Sequence, residues 1–303
     1  MTQIEVTFLG TTAAIPTHDR NHAAIYVRYQ SEQEYVCLFD CGEGTQRQIF
    51  SSGLNFMRIS DIFITHWHAD HFAGLLGLAE TMNLEGRTKP LTIYAPEAEK
   101  FVPMLMDIGY STKDFDIVPK NVEFEGHEIE RLVENPEFVI AAIPMKHGIP
   151  AVAYAFIEND RTKIDRAKAH GLGLPPKGPI YKKIKSDRKA VFKGKEIKLD
   201  DIAIVEKGKK IIYSGDTMPN QNIVKISENA DLLIHDSTFL DEMENKSKHS
   251  TVDDVLKIAT AAKVKQLVLT HISRRYQDIQ EIKDKLKAYP NVRIARDFMR
   301  LEI

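Results

Sequence analysis

Four potential metal ligands within six residues constrain this chain more than any other feature. The apolar run DIFIT, which is typical of a buried strand, is followed at once by His66, His68, Asp70 and His71. Without a cation, so dense a group of ionisable side chains would be costly to take out of water. Imidazole and carboxylate together suit zinc, with manganese or iron as alternatives. The motif therefore predicts a metal site at the end of a strand.

Three further ligand-type residues stand at the ends of strongly apolar runs. His147 follows FVIAAIPMK, Asp216 follows KKIIYSG, and His271 follows KQLVLT. Strand carboxyl ends present side chains to a common crevice in α/β folds. Two metal ions need roughly seven protein ligands. We therefore expect these three residues to join the histidine cluster.

The rest of the chain has the alternating strand and helix patterns of an α/β protein. Apolar residues recur at helical spacing over 45–52, 72–84, 96–108, 251–262 and 279–288. Pro96 is expected in the first turn of its helix, where proline is tolerated. The pattern of strands begins again after residue 209, which predicts two similar halves packed sheet to sheet with helices outside.

The composition is that of a globular protein, which we take as one domain over residues 1–303. Its 43% hydrophobic content is ample for a core, and no run approaches the roughly 18 apolar residues that a membrane span needs. The cysteines, Cys37 and Cys41, are expected to be small buried side chains in a reducing compartment. We therefore expect a cytoplasmic protein.

The charge is unevenly distributed, although its formal total is −2. From Arg161 to Lys195, twelve Lys and Arg accompany two acids, which gives this stretch +10 and leaves −12 for the remainder. Gly and Pro are frequent here and the apolar periodicity fails, so residues 160–195 are expected to project from the body as a basic inserted arm. Such a charge favours a polyanionic partner.

The succession of H-x-H-x-D-H, His, Ser-Gly-Asp and Thr-His at strand ends resembles the metallo-β-lactamase superfamily across essentially the whole chain. The resemblance implies a four-layer αβ/βα sandwich with a flexible inserted arm and two Zn²⁺ ions per subunit, with Mn²⁺ or Fe²⁺ as alternatives. It implies two ligand sets bridged by Asp216, one of His66, His68 and His147 and one of Asp70, His71 and His271. The superfamily acts on many substrates, so this motif alone leaves the reaction open.

Further segments resemble tRNase Z, a family of endonucleases that remove the 3′ trailer from precursor tRNA. The first loop has Pro16, Arg20 and Asn21 at positions of the family motif Pro-x-Lys-x-Arg-Asn, with His18 in place of the lysine. That loop lies near the tRNA 3′ end in the family, which implies RNA contacts for Arg20 and Asn21. The closing run THISRRY is also similar to the family's, and implies that Arg275 contacts phosphate or supports the site.

Two more segments imply an acid catalyst. His249-Ser250-Thr251 matches the family's His-Ser-Thr loop, and Asp236 stands where the family has a Glu. A ribose 3′-oxygen is a poor leaving group, so a protonated His held by a carboxylate is valuable there. We assign His249 as the general acid and Asp236 as its partner, while Asp70 accepts or orients the proton of the attacking water.

The arm completes the resemblance, because its Gly/Pro-rich run is similar to the tip of the tRNase Z flexible arm, the exosite that grips the tRNA body. The implied RNA contacts are Gly173, Pro175, Gly178, Lys182 and Lys183. The resemblance also implies a homodimer, and products that carry a 3′-hydroxyl on the tRNA and a 5′-phosphate on the trailer.

Other functions remain open from the sequence. The same metal site would serve a phosphodiesterase, lactonase or thioesterase of the superfamily that has no use for a basic arm. It would also serve an RNA 3′ exonuclease. A non-catalytic RNA-binding protein with structural metals is disfavoured, because structural zinc sites are usually closed by four ligands.

Overall fold

The structure, a computed structural model, describes residues 2–110, 113–240, 248–276 and 279–303. Its strands are β1 (Gln3–Gly10), β2 (Ala24–Gln30), β3 (Glu34–Phe39), β4 (Asp61–Phe63), β5 (Leu91–Ala95), β6 (Ile117–Asn121), β7 (Glu130–Glu134), β8 (Phe138–Pro144), β9 (Val152–Glu158), β10 (Arg161–Ile164), β11 (Lys189–Phe192), β12 (Lys195–Lys198), β13 (Ala203–Glu206), β14 (Lys210–Tyr213), β15 (Leu232–Asp236), β16 (Gln266–Thr270), β17 (Val292–Ile294) and β18 (Arg300–Glu302). Its α-helices are α1 (Thr45–Ser52), α2 (Ala69–Phe72), α3 (Leu75–Leu84), α4 (Ala98–Met106), α5 (Arg166–Gly171), α6 (Pro179–Asp187), α7 (Leu199–Ile202), α8 (Gln221–Ser227), α9 (Val252–Ala261) and α10 (Gln280–Leu286), and a short 3₁₀ helix spans Phe56–Arg58.

The chain divides into two compact units, a larger one of Met1–Ile157 with Lys210–Ile303 and a smaller one of Glu158–Lys209. Two seven-stranded sheets make up the larger unit. The first has the order β18-β1-β2-β3-β4-β5-β6, and β3 to β6 run parallel. The second has the order β17-β16-β15-β14-β9-β8-β7, and β14 to β17 run parallel.

Successive side chains along a strand of the larger unit face opposite sides of the sheet and join different layers of the core. In β2, Ile25, Val27 and Tyr29 join a core that also contains residues of the second sheet, whereas Ala24 and Tyr26 pack on the opposite face. That opposite face is covered by α1, α3 and α4, and the outer face of the second sheet is covered by α8, α9 and α10. Strands with two covered faces need apolar residues at both alternating positions. The predicted four-layer αβ/βα sandwich is confirmed.

The prediction of two successive halves divided near residue 209 is wrong. The second sheet already begins with β7 (Glu130–Glu134), and the last strand, β18, returns to the edge of the first sheet beside β1. Leu301 of β18 pairs with Val6 of β1, so strands that are distant in sequence are neighbours in the first sheet. Local periodicity detects strands but does not report which sheet a strand joins.

The helix predicted over 72–84 begins three residues later than expected, and a separate short helix precedes it. The helix α2 ends at Phe72 and α3 begins at Leu75. Between them the Gly74 amide donates to the Cys41 carbonyl at 2.9 Å, and a Cβ on Gly74 would lie 2.2 Å from the Gly42 carbonyl oxygen. The close approach of these two backbone segments therefore sets the break.

The helix predicted over 96–108 is shorter than expected and begins at Ala98. Its N-cap, Glu97, has a left-handed backbone, so Pro96 lies outside the helix rather than in its first turn. Pro103 lies inside the helix instead. The prediction for Pro96 is therefore wrong, because Pro96 lies two residues before the first helical residue.

Two expectations from composition concern side chains and membranes. Cys37 and Cys41 are free thiols, and both are buried. Among the described residues, none of the helices has the length and apolar character that crossing a membrane requires.

The smaller unit is wider than the segment 160–195 and has a core of its own. Two two-stranded antiparallel sheets, β10 with β13 and β11 with β12, are accompanied by α5, α6 and α7. Its buried side chains are Ala169, Leu174, Ile184, Ala190, Ile197, Leu199 and Ile202. The apolar residues within 160–195 are too sparse to predict this core. Three of the core residues, Ile197, Leu199 and Ile202, lie beyond residue 195.

Replacement of Gly74 tests the helix break. Gly74→Ala is expected to reduce the free energy of unfolding by about 2–3 kcal/mol, because its methyl group would overlap the Gly42 carbonyl. Gly77→Ala in α3 is the matched control, since its nearest neighbour is the end of the Gln46 side chain at 3.4 Å. The control should change stability by no more than about 1 kcal/mol. Equal denaturation midpoints for the two variants in urea would contradict this explanation.

Candidate metal centre

The predicted ligands lie where the ends of four strands meet in the larger unit. The segment after β4 carries His66, and the segments after β8, β14 and β16 carry His147, Asp216 and His271. The first of these strands belongs to one sheet and the other three belong to the second. His271 follows β16 at once with a left-handed backbone, φ 56°, a conformation that costs energy in a non-glycine residue and is concentrated at functional sites.

One group of potential ligands surrounds His68. Its Nδ1 lies 3.0 Å from His66 Nε2 and 3.1 Å from His147 Nε2, and His66 Nε2 lies 3.7 Å from Asp216 Oδ2. Ligands bound at 2.0–2.1 Å in a tetrahedral zinc site are roughly 3.3 Å apart. Burial holds the pKa of His66 well below its ordinary value and lowers that of His147, so these rings are neutral and able to bind a metal.

A second group contains Asp70, His71 and His271. Asp70 Oδ2 lies 3.6 Å from His71 Nε2 and 3.4 Å from His271 Nε2. Asp216 contacts this group as well, with Oδ1 3.3 Å from His271 Nε2 and Oδ2 3.4 Å from His71 Nε2. All seven predicted ligands are thus together, and Asp216 is shared between the two groups.

The residues present fit two cations. Among the described residues, the buried atoms His71 Nε2 and Asp216 Oδ1 have no hydrogen-bond partner, and both point into the cluster. A buried polar atom without a partner is destabilising unless something else satisfies it. Although burial lowers the pKa of His271, Asp216 and neighbouring carboxylates raise it to about 10. The negative charge of these carboxylates therefore favours a positive charge at His271, where a divalent cation would bind.

Asp40 supports the second group and was missed by the sequence analysis. Its Oδ2 lies 2.6 Å from His71 Nδ1, and the carboxylate also accepts from the Thr65 amide at 2.8 Å and from Tyr213 Oη at 2.7 Å. This contact turns Nε2 of His71 toward the cluster. The signal that was available is its position directly after β3, which matches the position of His271 after β16.

His249 lies beside the cluster with the carboxylate that was predicted for it. Its Nδ1 is 2.9 Å from Asp236 Oδ2 and 3.8 Å from Asp216 Oδ2. Thr238 fixes Asp236 by donating its amide at 3.0 Å and its hydroxyl at 2.6 Å to Oδ1. Burial lowers the pKa of His249, but Asp236 and Asp216 outweigh burial and raise it above the ordinary value. The ring therefore holds a proton that it could deliver into the adjoining cavity of 390 Å³.

Comparison with known proteins decides the family. A family model described as the anti-Pycsar protein Apyc1 matches residues 4–107, and one described as a beta-lactamase superfamily domain matches residues 201–272. The chain is 41% identical to ribonuclease Z of Archaeoglobus fulgidus over 99% of its length and 97% of the relative's. It is 40% identical to ribonuclease Z of Methanosarcina acetivorans, over 99% and 98% of the two chains. This chain belongs to the ribonuclease Z family.

A solved structure agrees with the family assignment. The crystal structure of human tRNase Z, short form, superposes with a TM-score of 0.71 at 29% identity and covers 98% of both chains. The fold is therefore that of the metallo-β-lactamase superfamily, and the chain is a hydrolytic endoribonuclease by family.

In the first loop, the two side chains that were predicted to contact RNA form hydrogen bonds within the protein. Arg20 Nη1 donates to Thr11 Oγ1 at 2.7 Å and to the Ala295 carbonyl at 2.9 Å. Asn21 Nδ2 donates to the Glu43 carbonyl at 2.9 Å. Both side chains therefore brace the loop, and a contact with RNA stays a prediction for each.

The remaining predicted contacts divide between the two units. Arg275, in the larger unit, is exposed, lies 5.6 Å from the centre of the Phe239 ring and lines the cavity that His249 adjoins. In the smaller unit, Gly178 precedes α6, and α6 carries the exposed side chains of Lys182 and Lys183. Also in that unit, Gly173 has a left-handed backbone, and the Pro175 carbonyl accepts from Tyr181 Oη at 2.6 Å.

Removal of the Asp40 charge tests whether Asp40 orients His71 for metal binding. Asp40→Asn is expected to weaken metal binding about 10- to 100-fold, because a residue that orients a ligand has effects of this size. Asp61→Asn is the matched control, since Asp61 is bonded to Tyr35 Oη at the start of β4, away from the ligands. Metal content after dialysis against graded chelator measures both. Identical metal retention by the two variants would contradict the role of Asp40.

Proposed function

We propose that this chain is a metal-dependent endoribonuclease that removes the 3′ trailer from precursor tRNA, leaving a 3′-hydroxyl on the tRNA and a 5′-phosphate on the trailer. Membership of the ribonuclease Z family supports the substrate. The geometry that supports the chemistry best is His249, held 2.9 Å from Asp236 at the margin of the ligand cluster.

The proposed cofactors are two Zn²⁺ ions per subunit, with Mn²⁺ or Fe²⁺ as alternatives. Asp216 is proposed to join two ligand sets, His66, His68 and His147 in one, and Asp70, His71 and His271 in the other. When bound, the ions would lower the pKa of a water molecule and stabilise charge on the phosphoryl oxygens.

Three side chains of the protein handle protons in the proposed reaction. A water oxygen bonds to phosphorus while the bond from phosphorus to O3′ of the last tRNA nucleotide breaks. Asp236 holds Nδ1 of His249, so Nε2 delivers the proton to the departing O3′. Asp70 accepts or orients the proton of the attacking water, and the Ala14 amide fixes its Oδ2 through a hydrogen bond of 2.9 Å.

The smaller unit is proposed to grip the tRNA body. Between Arg161 and Lys195 it carries +10, and cations of this kind bind the phosphate backbone without reading sequence. Gly173, Pro175, Gly178, Lys182 and Lys183 are proposed contacts of this unit. A cytoplasmic homodimer completes the proposal, and the free cysteines fit a reducing compartment.

The acid role of His249 can be separated from metal chemistry by the choice of leaving group. His249→Ala is expected to reduce kcat on precursor tRNA about 10²- to 10⁴-fold, the usual contribution of a general acid. Hydrolysis of bis(p-nitrophenyl) phosphate should fall far less, because nitrophenolate leaves without a proton. Initial rates on both substrates measure the difference.

His127→Ala is the control, because His127 is bonded to Asn222 Oδ1 at 2.8 Å and takes no part in the cluster. It should keep wild-type rates on both substrates. If His249→Ala lost both activities in the same proportion, His249 would be a structural or ligand residue and not the acid. If wild type hydrolysed the small ester but left precursor tRNA intact, another superfamily hydrolase would be the correct assignment.

A further inference from the structure

Three cavities of the larger unit share lining residues in succession, beginning beside His249 and His271. The first, of 390 Å³, is lined by His249 and His271 and shares Ser273 and Arg274 with a second cavity of 390 Å³. The second shares Arg20 with a third cavity of 710 Å³, formed around α10, β17 and β18. We name these three cavities together the C-terminal track.

The third cavity is strongly basic, although the chain outside residues 161–195 carries −12. Its lining includes Arg20, Lys283, Lys287, Arg293, Arg296 and Arg300. One acid, Asp297, is among the lining residues, and its carboxylate accepts from Thr11 Oγ1 at 2.8 Å and from the Asn21 amide at 2.7 Å.

Three of these cations are available to a ligand. Lys283, Arg293 and Arg296 are exposed, and no ion pair joins them to an acid in the described part of the chain. Their charge is therefore not neutralised by the protein. A concentration of uncompensated cations in a cleft attracts an anionic ligand.

An exposed aromatic ring accompanies these charges. Phe298 lines the same cavity and is 43% exposed, and its backbone is left-handed with φ 64°. That conformation is an outlier for a bulky residue, and such strain is concentrated at sites of function. Cations beside an exposed aromatic ring are the combination that proteins use to bind single-stranded nucleic acid, with phosphates on the cations and a base stacked on the ring.

We propose that the C-terminal track binds the single-stranded 3′ trailer of the precursor as it leaves the metal centre. The proposal rests on the proposed function, and it assigns to Lys283, Arg293, Arg296 and Phe298 a contact with the trailer. The trailer is the part of the substrate that begins at the scissile phosphate, so a basic path that starts at His249 is placed to receive it.

The size of the cavities favours a single strand over folded RNA. Volumes of 390 to 710 Å³ are those of clefts for small molecules, which accept single nucleotides but not a duplex. The trailer, once unpaired, can enter such clefts nucleotide by nucleotide. The tRNA body cannot.

The test compares precursor tRNAs that have a short and a long trailer. Lys283→Gln, Arg293→Gln and Arg296→Gln are combined in one variant. We expect its KM to rise about tenfold or more for a trailer of about ten nucleotides, and to stay at the wild-type value for a single-nucleotide trailer. The matched control is Lys89→Gln, Lys120→Gln and Lys257→Gln, which removes the same charge at exposed positions outside these three cavities and should leave both KM values unchanged.

Direct binding gives a second readout that does not depend on cleavage. The probe is a 5′-phosphorylated, fluorescently labelled oligoribonucleotide with the trailer sequence, titrated with the metal-loaded protein at several salt concentrations. Loss of three phosphate contacts should lower the slope of log affinity against log salt by about two. Phe298→Leu should weaken binding of this probe about tenfold, whereas Phe298→Tyr, which keeps the ring, should bind like wild type.

The outcomes separate the track from the proposed function. If the triple variant raises KM equally for both trailers, or changes neither KM nor probe binding, the trailer assignment is overturned. If Phe298→Leu binds as tightly as Phe298→Tyr, the stacking contact is overturned. If wild type fails to cut either precursor, the proposed function fails, and this result is independent of whether the probe binds.

Discussion

The cost of burying ionisable groups organises this molecule. His66, His71, His147, Asp216 and His271 are each no more than 8% exposed, and they meet in one crevice. Such a set is stable when its charges compensate one another or a cation. Asp216 is central, since its two oxygens face both groups of histidines at 3.3 to 3.7 Å. A carboxylate in this position is shared by the two groups of potential ligands, which supports the proposed binuclear centre.

The sandwich serves this arrangement by holding strand ends rigidly. The core between the two sheets places the end of β4 against the second sheet, where Tyr154 Oη donates to the Ile64 carbonyl at 2.8 Å. Further contacts orient three of the proposed ligands: Asp40 holds His71, the Lys248 carbonyl holds His147, and Thr238 holds His271. Thr238 also fixes Asp236, so one hydroxyl links His271 to the carboxylate that holds the proposed acid. The hydrogen bonds that hold the strand ends in place therefore also orient the side chains proposed to act in the reaction.

Much of this arrangement could be predicted from sequence, because a ligand-type residue after an apolar strand is a local signal. His147, Asp216 and His271 all have that signal, and the structure brings them to the histidines and aspartate that follow β4. Asp40 has it too, but nothing local distinguishes a residue that binds a metal from one that orients a ligand. The break at Gly74 depends on the approach of Gly42, and the place of β18 depends on β1, and both are contacts between distant parts of the chain. For the same reason the core of residues 158–209 was missed, since Ile197, Leu199 and Ile202 complete it from beyond the Gly/Pro-rich run.

Mapping of both product ends from a precursor tRNA cut by the metal-loaded protein tests the central claim most directly. The account predicts a single cut that releases the trailer intact, with a 5′-phosphate on the trailer and a 3′-hydroxyl on the last tRNA nucleotide. Stepwise release of mononucleotides from the 3′ end would contradict it and would make the same site that of an exonuclease.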